Sequence, residues 1–114
     1  MKGISLFSSA GIGEMYIKDL GIDIIVANEI DKKRCELYKY FHPESEMING
    51  DIQDSTIKNE LIKKSKKCKF LVATPPCQGF STLGITKKTE NLQTDARNFL
   101  IFDVLEIIDN NNFD

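Results

Sequence analysis

Short apolar runs alternate along this chain with segments of helical period. Residues 4–7 form the first run and give way at once to a Ser, Ala and Gly stretch, the pattern of a buried strand entering a tight turn. Over 11–20, Ile12, Tyr16 and Leu20 recur at every fourth position, which predicts a helix with one apolar face, stopped at Gly21. The β-branched run 22–27, interrupted only by Asp23, predicts a second strand, followed by Asn28, Glu29 and a helix beginning near Asp31. A weaker strand at 46–48 ends in Gly50 and Asp51. Beyond Asp54, Ile57, Leu61 and Ile62 lie at helical spacing, and Phe70, Leu71, Val72 and Ala73 make a fourth short strand.

The texture then changes. Residues 74–94 carry Pro75, Pro76 and several Gly, Ser and Thr residues with almost no apolar period, and a loop of that length usually serves function. A last helix is predicted over 95–108, with Leu100, Val104, Ile107 and Ile108 on one face and Asn110, Asn111 and Asn112 as its polar exit. The alternation of strand and helix predicts a parallel, doubly wound α/β sheet with right-handed crossovers. Such a pattern calls for a fifth strand after the last helix, where the chain reaches Asp114. The expectation is therefore a sheet incomplete at its C-terminal side, with strand 70–73 as an open edge.

Length and composition narrow the class. The 114 residues suit one domain, and 41% hydrophobic with 28% charged residues is the make-up of a folded globular chain. Fifteen Lys and Arg against 17 Asp and Glu leave a net charge of -2, without the basic excess of a self-sufficient nucleic-acid binder. No apolar run approaches the roughly 20 residues of a membrane span, and the start lacks a signal-peptide pattern, so a cytoplasmic protein without membrane attachment is expected. Cys35, Cys68 and Cys77 are read as reduced thiols. The single histidine, His42, gives neither a Cys-His pair with Cys77 nor a zinc set, so no metal is expected.

Candidate chemistry gathers at the carboxyl ends of the predicted strands, where ligands bind in open parallel sheets. After the first strand, Ser8, Ser9, Ala10, Gly11 and Gly13 make a small-residue turn; after the second comes Glu29, about 18 residues beyond Gly11 and near the roughly 20-residue offset of a ribose-binding acid; after the third comes Asp51. Singly, the glycines read equally as a tight turn and the two acids as helix N-terminal residues. Together they favour an adenosine site. In the loop, Pro75 and Pro76 stiffen the backbone just ahead of Cys77, presenting a thiol to the crevice as a nucleophile. Cys35, within a helix, and Cys68, beside lysines, read as small buried or plain surface thiols. Lys63, Lys64, Lys66, Lys67 and Lys69 read as the solvated end of a helix.

SLFSSAGIGE at 5–14, ANEID at 27–31, GDI at 50–52 and PPCQGFS at 75–81, in this order, resemble the opening motifs of the DNA (cytosine-5) methyltransferases, and Asp95-Ala96-Arg97 resembles that family's D-x-R segment. The resemblance spans almost the whole chain and rests above all on PPCQ. It implies a Rossmann-like methyltransferase fold with S-adenosylmethionine as cofactor. Phe7 and Ile30 would flank the adenine, Ala10 and Gly11 approach the amino-acid portion, Glu29 meet the ribose, and Asp51 with Ile52 meet the adenine edge. Ile12 and Pro76 complete the cofactor set, and Gln78, Ser81 and Arg97 would contact the nucleic acid. Cys77 would add covalently to a cytosine flipped out of double-stranded DNA.

Two positions depart from the family pattern: Ser5 stands where aspartate is usual and Ser9 where glycine is usual. The family's cytosine-holding glutamate and its target-recognition region would lie beyond Asp114. Residues 1–114 are accordingly expected to be the N-terminal part of a catalytic domain, inactive alone and completed by a C-terminal half or a complementing second chain. Alternatives are methylation of transfer RNA, a nicotinamide-dependent dehydrogenase, disfavoured by Tyr16 in place of the third glycine, and a non-catalytic adenosine-binding subunit.

Overall fold

The computed structural model describes residues 1–75 and 96–111. Four strands form one parallel sheet in the order β3-β2-β1-β4: β1 is Lys2–Leu6, β2 Asp23–Glu29, β3 Glu46–Asn49 and β4 Phe70–Ala73. Among the described residues three α-helices accompany them, α1 Lys32–Phe41, α2 Ser55–Ser65 and α3 Ala96–Asp109. Strand order reverses at β1, whose neighbours are β2 and β4, so the carboxyl end of β1 is the switch point of the sheet.

Each crossover helix begins on an aspartate. Asp31 precedes α1 and accepts a hydrogen bond from the Arg34 amide at 3.1 Å; Asp54 precedes α2 and accepts from the Thr56 amide at 2.8 Å. Both satisfy an amide that the first helical turn leaves without a partner. Pro43, two residues past α1, prevents its continuation.

Alternation along β1 separates the two faces of the sheet. Ile4 and Leu6 join Val26, Ile48, Ile52, Leu61, Cys68, Val104 and Ile107 in the main core, beneath α2 and α3. Ser5, fully buried, points to the other face, where Tyr38 of α1 lies. Lys58 joins α2 to α3 by ion pairs with Asp103 at 2.6 Å and Glu106 at 2.7 Å. Among the described strands β4 is an edge, paired only to β1. No helix among the described residues is long and apolar enough to cross a membrane.

The expected helix over 11–20 is corrected. That segment forms two single 3-10 turns, Ile12–Glu14 and Lys18–Leu20, and the three residues of the supposed inner face are exposed: Ile12 by 64%, Tyr16 by 76% and Leu20 by 77%. The residue turned inward is Glu14, whose carboxylate is hydrogen-bonded by Ser5 and Tyr38. That polar anchor, with the left-handed Gly11 before it, rotates the segment so that its apolar period faces outward.

Candidate functional site

At the carboxyl edge of the sheet lies a cavity of about 350 Å³. Phe7 after β1, Glu29 and Ile30 at the end of β2, and Asp51 with Ile52 after β3 all line it. These are five of the nine residues the sequence nominates for the cofactor. Asn28, Arg34, Thr74 and Leu100 also line it and were not nominated. Asn28 carried a signal, being a polar residue at the end of a buried strand; Arg34, one of many surface cations, did not.

Glu29 is buried and clamps two loops. One carboxylate oxygen accepts from the Ser9 amide at 2.9 Å, the other from the Asp31 amide at 2.8 Å. The turn after β1 is thereby tied to the entry of α1. Around it, paired asparagines stitch β2 to β3: Asn28 donates to the carbonyls of Ile48 and Gly50, and Asn49 donates to those of Glu29 and Ile30. Asp51, exposed, accepts from the Gln53 amide at 2.9 Å in a local turn. On the far side, Thr74, just past β4, is tied to the end of β1, its amide donating to the Leu6 carbonyl and its hydroxyl to that of Phe7.

The turn after β1 is held in a costly backbone shape. Phe7 and Ser9 have φ of 56° and 54°, left-handed values at which a non-glycine residue stores of order 1–3 kcal/mol. Ala10 and Ile12 line a second, smaller cavity of about 220 Å³, which shares Ser9 and Thr74 with the first. Gly11 faces elsewhere. Its carbonyl lies 2.9 Å from His42 Nε2, and a Cβ placed on it would stand 2.6 Å from the Tyr38 ring and 2.7 Å from that of His42.

The thiols of Cys35 and Cys68 are buried, as one reading of the sequence allowed. Cys35 donates to the Glu29 carbonyl at 3.2 Å, and its thiol is pushed up first by burial and then by the Glu29 carboxylate; burial does the same for Cys68. Neither has the depressed pKa of a reactive thiol. Arg97 falls in the first turn of α3. Pro76, Cys77, Gln78 and Ser81 lie outside the described residues.

A parallel sheet with its crevice at the carboxyl edge of the switch-point strand defines a Rossmann-like α/β domain. More narrowly, the chain belongs to the family of C-5 cytosine-specific DNA methylases, whose model matches residues 1–112. It is 48% identical over 108 residues to the type II methyltransferase M1.HgaI of Avibacterium volantium, a match covering 93% of this chain and 30% of that one. With the type II methyltransferase M.NgoPII of Neisseria gonorrhoeae it shares 35% identity, covering 95% of this chain and 29% of the relative. Among solved structures, DNMT2 of Spodoptera frugiperda superposes with a TM-score of 0.67 at 28% identity, over 99% of this chain and 33% of that one. The chain thus spans about 30% of the length of the curated relatives it matches.

Proposed function

We infer that this chain supplies the cofactor cradle and the nucleophile for transfer of a methyl group from S-adenosylmethionine to carbon 5 of cytosine in double-stranded DNA. The observation that carries the reading is the convergence of Phe7, Glu29, Ile30, Asp51 and Ile52 on one crevice, in a chain of this family. The residues present fit the cofactor. Phe7, Ile30 and Ile52 offer apolar walls for a flat base. The Glu29 carboxylate has about four lone-pair sites and gives two to backbone amides, which leaves capacity for ribose hydroxyls. Asp51 keeps an oxygen for the adenine edge. Ala10, Gly11 and Ile12 belong to the turn that would border the amino-acid portion, and Pro76 stands two positions after the crevice residue Thr74 in the sequence.

Bound there, S-adenosylmethionine would supply an electrophilic methyl group. Cys77 follows the crevice residue Thr74 by three positions, a reach of at most about 11 Å. Its thiolate adds to C6 of a flipped-out cytosine, so that C5 gains the electron density needed to take the methyl. Loss of the C5 proton and expulsion of the thiolate then restore the ring. Gln78, Ser81 and Arg97 contact the DNA. On this reading residues 1–114 are the N-terminal part of a catalytic domain acting in the cytoplasm. Further polypeptide, or a second chain, supplies the cytosine-holding acid and target recognition. The 48% identity to a type II methyltransferase favours a restriction-modification role and DNA over transfer RNA.

The test is transfer of labelled methyl to duplex DNA by the intact polypeptide that contains these residues, followed by trapping on DNA carrying 5-fluorocytosine. A covalent adduct on Cys77 is expected. Attachment at another residue, label appearing in transfer RNA alone, or preference for a nicotinamide cofactor would overturn the reading.

A further inference from the structure

The buried polar groups on the α1 side of the sheet form one connected set outside the larger cavity, and two of its members, Ser8 and Glu14, border the smaller one. Ser5 and Tyr38, both fully buried, donate their hydroxyls to the two oxygens of Glu14, Tyr38 at 2.7 Å. A serine has one hydroxyl proton, and that of Ser5 is committed to Glu14. Ser8 Oγ donates to the Ser5 carbonyl at 3.1 Å and lies 2.7 Å from Ser5 Oγ. The Glu14 carboxylate fixes the direction of the bonds from Ser5 and Tyr38.

This set sits directly under the strained turn. The Ser8 amide donates to the Asn28 carbonyl at 3.0 Å, the neighbouring Ser9 amide to Glu29, and the Gly11 amide to the Ser8 carbonyl at 3.0 Å. One turn along α1 from Tyr38, His42 bonds the Gly11 carbonyl, and the two rings lie 4.6 Å apart. The end of helix α1 thus holds the turn at two points, through Glu14 and through Gly11. The departure at Ser5 gains a counterpart, since a carboxylate reaches the end of β1 from position 14 instead of from position 5.

We propose that Glu14 and Tyr38 are positioning residues for cofactor binding, holding the 7–13 turn at the height over β1 and β2 that shapes both cavities. The proposal rests on the methyltransferase reading for the identity of the ligand, though not for the ordering of the turn. A buried carboxylate with two hydroxyl donors is costly to break by halves, because removing one partner leaves the rest unsatisfied. Tyr38→Phe removes one donor at constant volume, and Glu14→Gln removes the charge that directs the others.

The test has two readouts on the intact polypeptide, S-adenosylmethionine affinity by calorimetry well below the melting temperature, and amide hydrogen exchange over residues 7–13. Each variant should weaken the cofactor by roughly tenfold and speed exchange at Ser8, Ser9 and Gly11 while leaving β2 and β3 protected. A support that only added stability would lower the melting temperature and leave both unchanged. The transposed variant S5D/E14S, which returns a carboxylate to the same spot from β1, should recover most of the affinity. Should the unaltered protein bind no S-adenosylmethionine, the methyltransferase reading fails, and local loosening of the turn in both variants still supports the positioning role. Unchanged exchange in Tyr38→Phe and Glu14→Gln overturns the proposal, whatever the cofactor.

Discussion

Glu29→Ala separates the two tasks placed on one carboxylate. In the protein Glu29 accepts backbone hydrogen bonds from Ser9 and Asp31 and is 6% exposed. A hydrogen bond to a charged acceptor contributes about 1.5–3 kcal/mol net, so loss of two gives an upper figure of about 3–6 kcal/mol. The crevice is open enough for water to reach the freed amides, which lowers the expected loss to about 2–4 kcal/mol. Urea denaturation of the intact polypeptide measures it. Calorimetry then measures S-adenosylmethionine on the folded variant, where loss of the ribose contact should weaken binding by about 10- to 150-fold. Glu29→Gln sharpens the result, because an amide can still accept from one of the two N–H groups but sets its own donors against the other. It should fall between wild type and Ala in stability. Unchanged stability in Glu29→Ala would refute the clamp, and lost stability with unchanged affinity would confine Glu29 to a structural role.

Cys77→Ser should abolish methyl transfer while leaving cofactor affinity within about twofold, because a serine hydroxyl is scarcely ionised near neutral pH; retained turnover would remove Cys77 from the chemistry. Gly11→Ala should destabilise the fold by about 2–4 kcal/mol, since the residue has φ 76° and its new Cβ would meet Tyr38 and His42, and thermal denaturation decides it. Lys58→Met should cost about 1–2 kcal/mol by leaving Asp103, 9% exposed, without its cation between α2 and α3. Hydrogen bonds donated by its ammonium to Asp103 and Glu106 raise the Lys58 pKa above its ordinary 10.5. The contribution is therefore complete below that value and lost as pH climbs through the raised one, so the variant's deficit in urea titrations should shrink only in that alkaline range.

Much of the architecture was legible because local and global signals agreed. Asp31 and Asp54 stood where a helix needs a capping acceptor, and the runs at 22–27 and 70–73 were too short for helices, the first β-branched as well; all formed as expected within two residues. The crevice was legible in part for the same reason, since Glu29 and Asp51 follow strands that pair in parallel and so end together. Arg34 and Leu100 enter the crevice through the packing of α1 and α3 on the sheet, which no local spacing encodes.

The segment 11–20 shows where periodicity misleads. A fourfold apolar repeat implies a buried face only if the surface opposite it is apolar as well. Here β1 gives its apolar residues, Ile4 and Leu6, to α2 and α3, and presents Ser5 to the other side. An apolar helix laid over a buried serine would leave that hydroxyl unsatisfied, at a cost of about 1–3 kcal/mol. Glu14 entering instead satisfies Ser5 and Tyr38 together, and the price is exposure of Ile12, Tyr16 and Leu20. The readable sign was therefore not within the segment but in the strand before it. A polar residue in the middle of a buried strand requires a polar partner, and Glu14 was the nearest acid in the chain able to return to it.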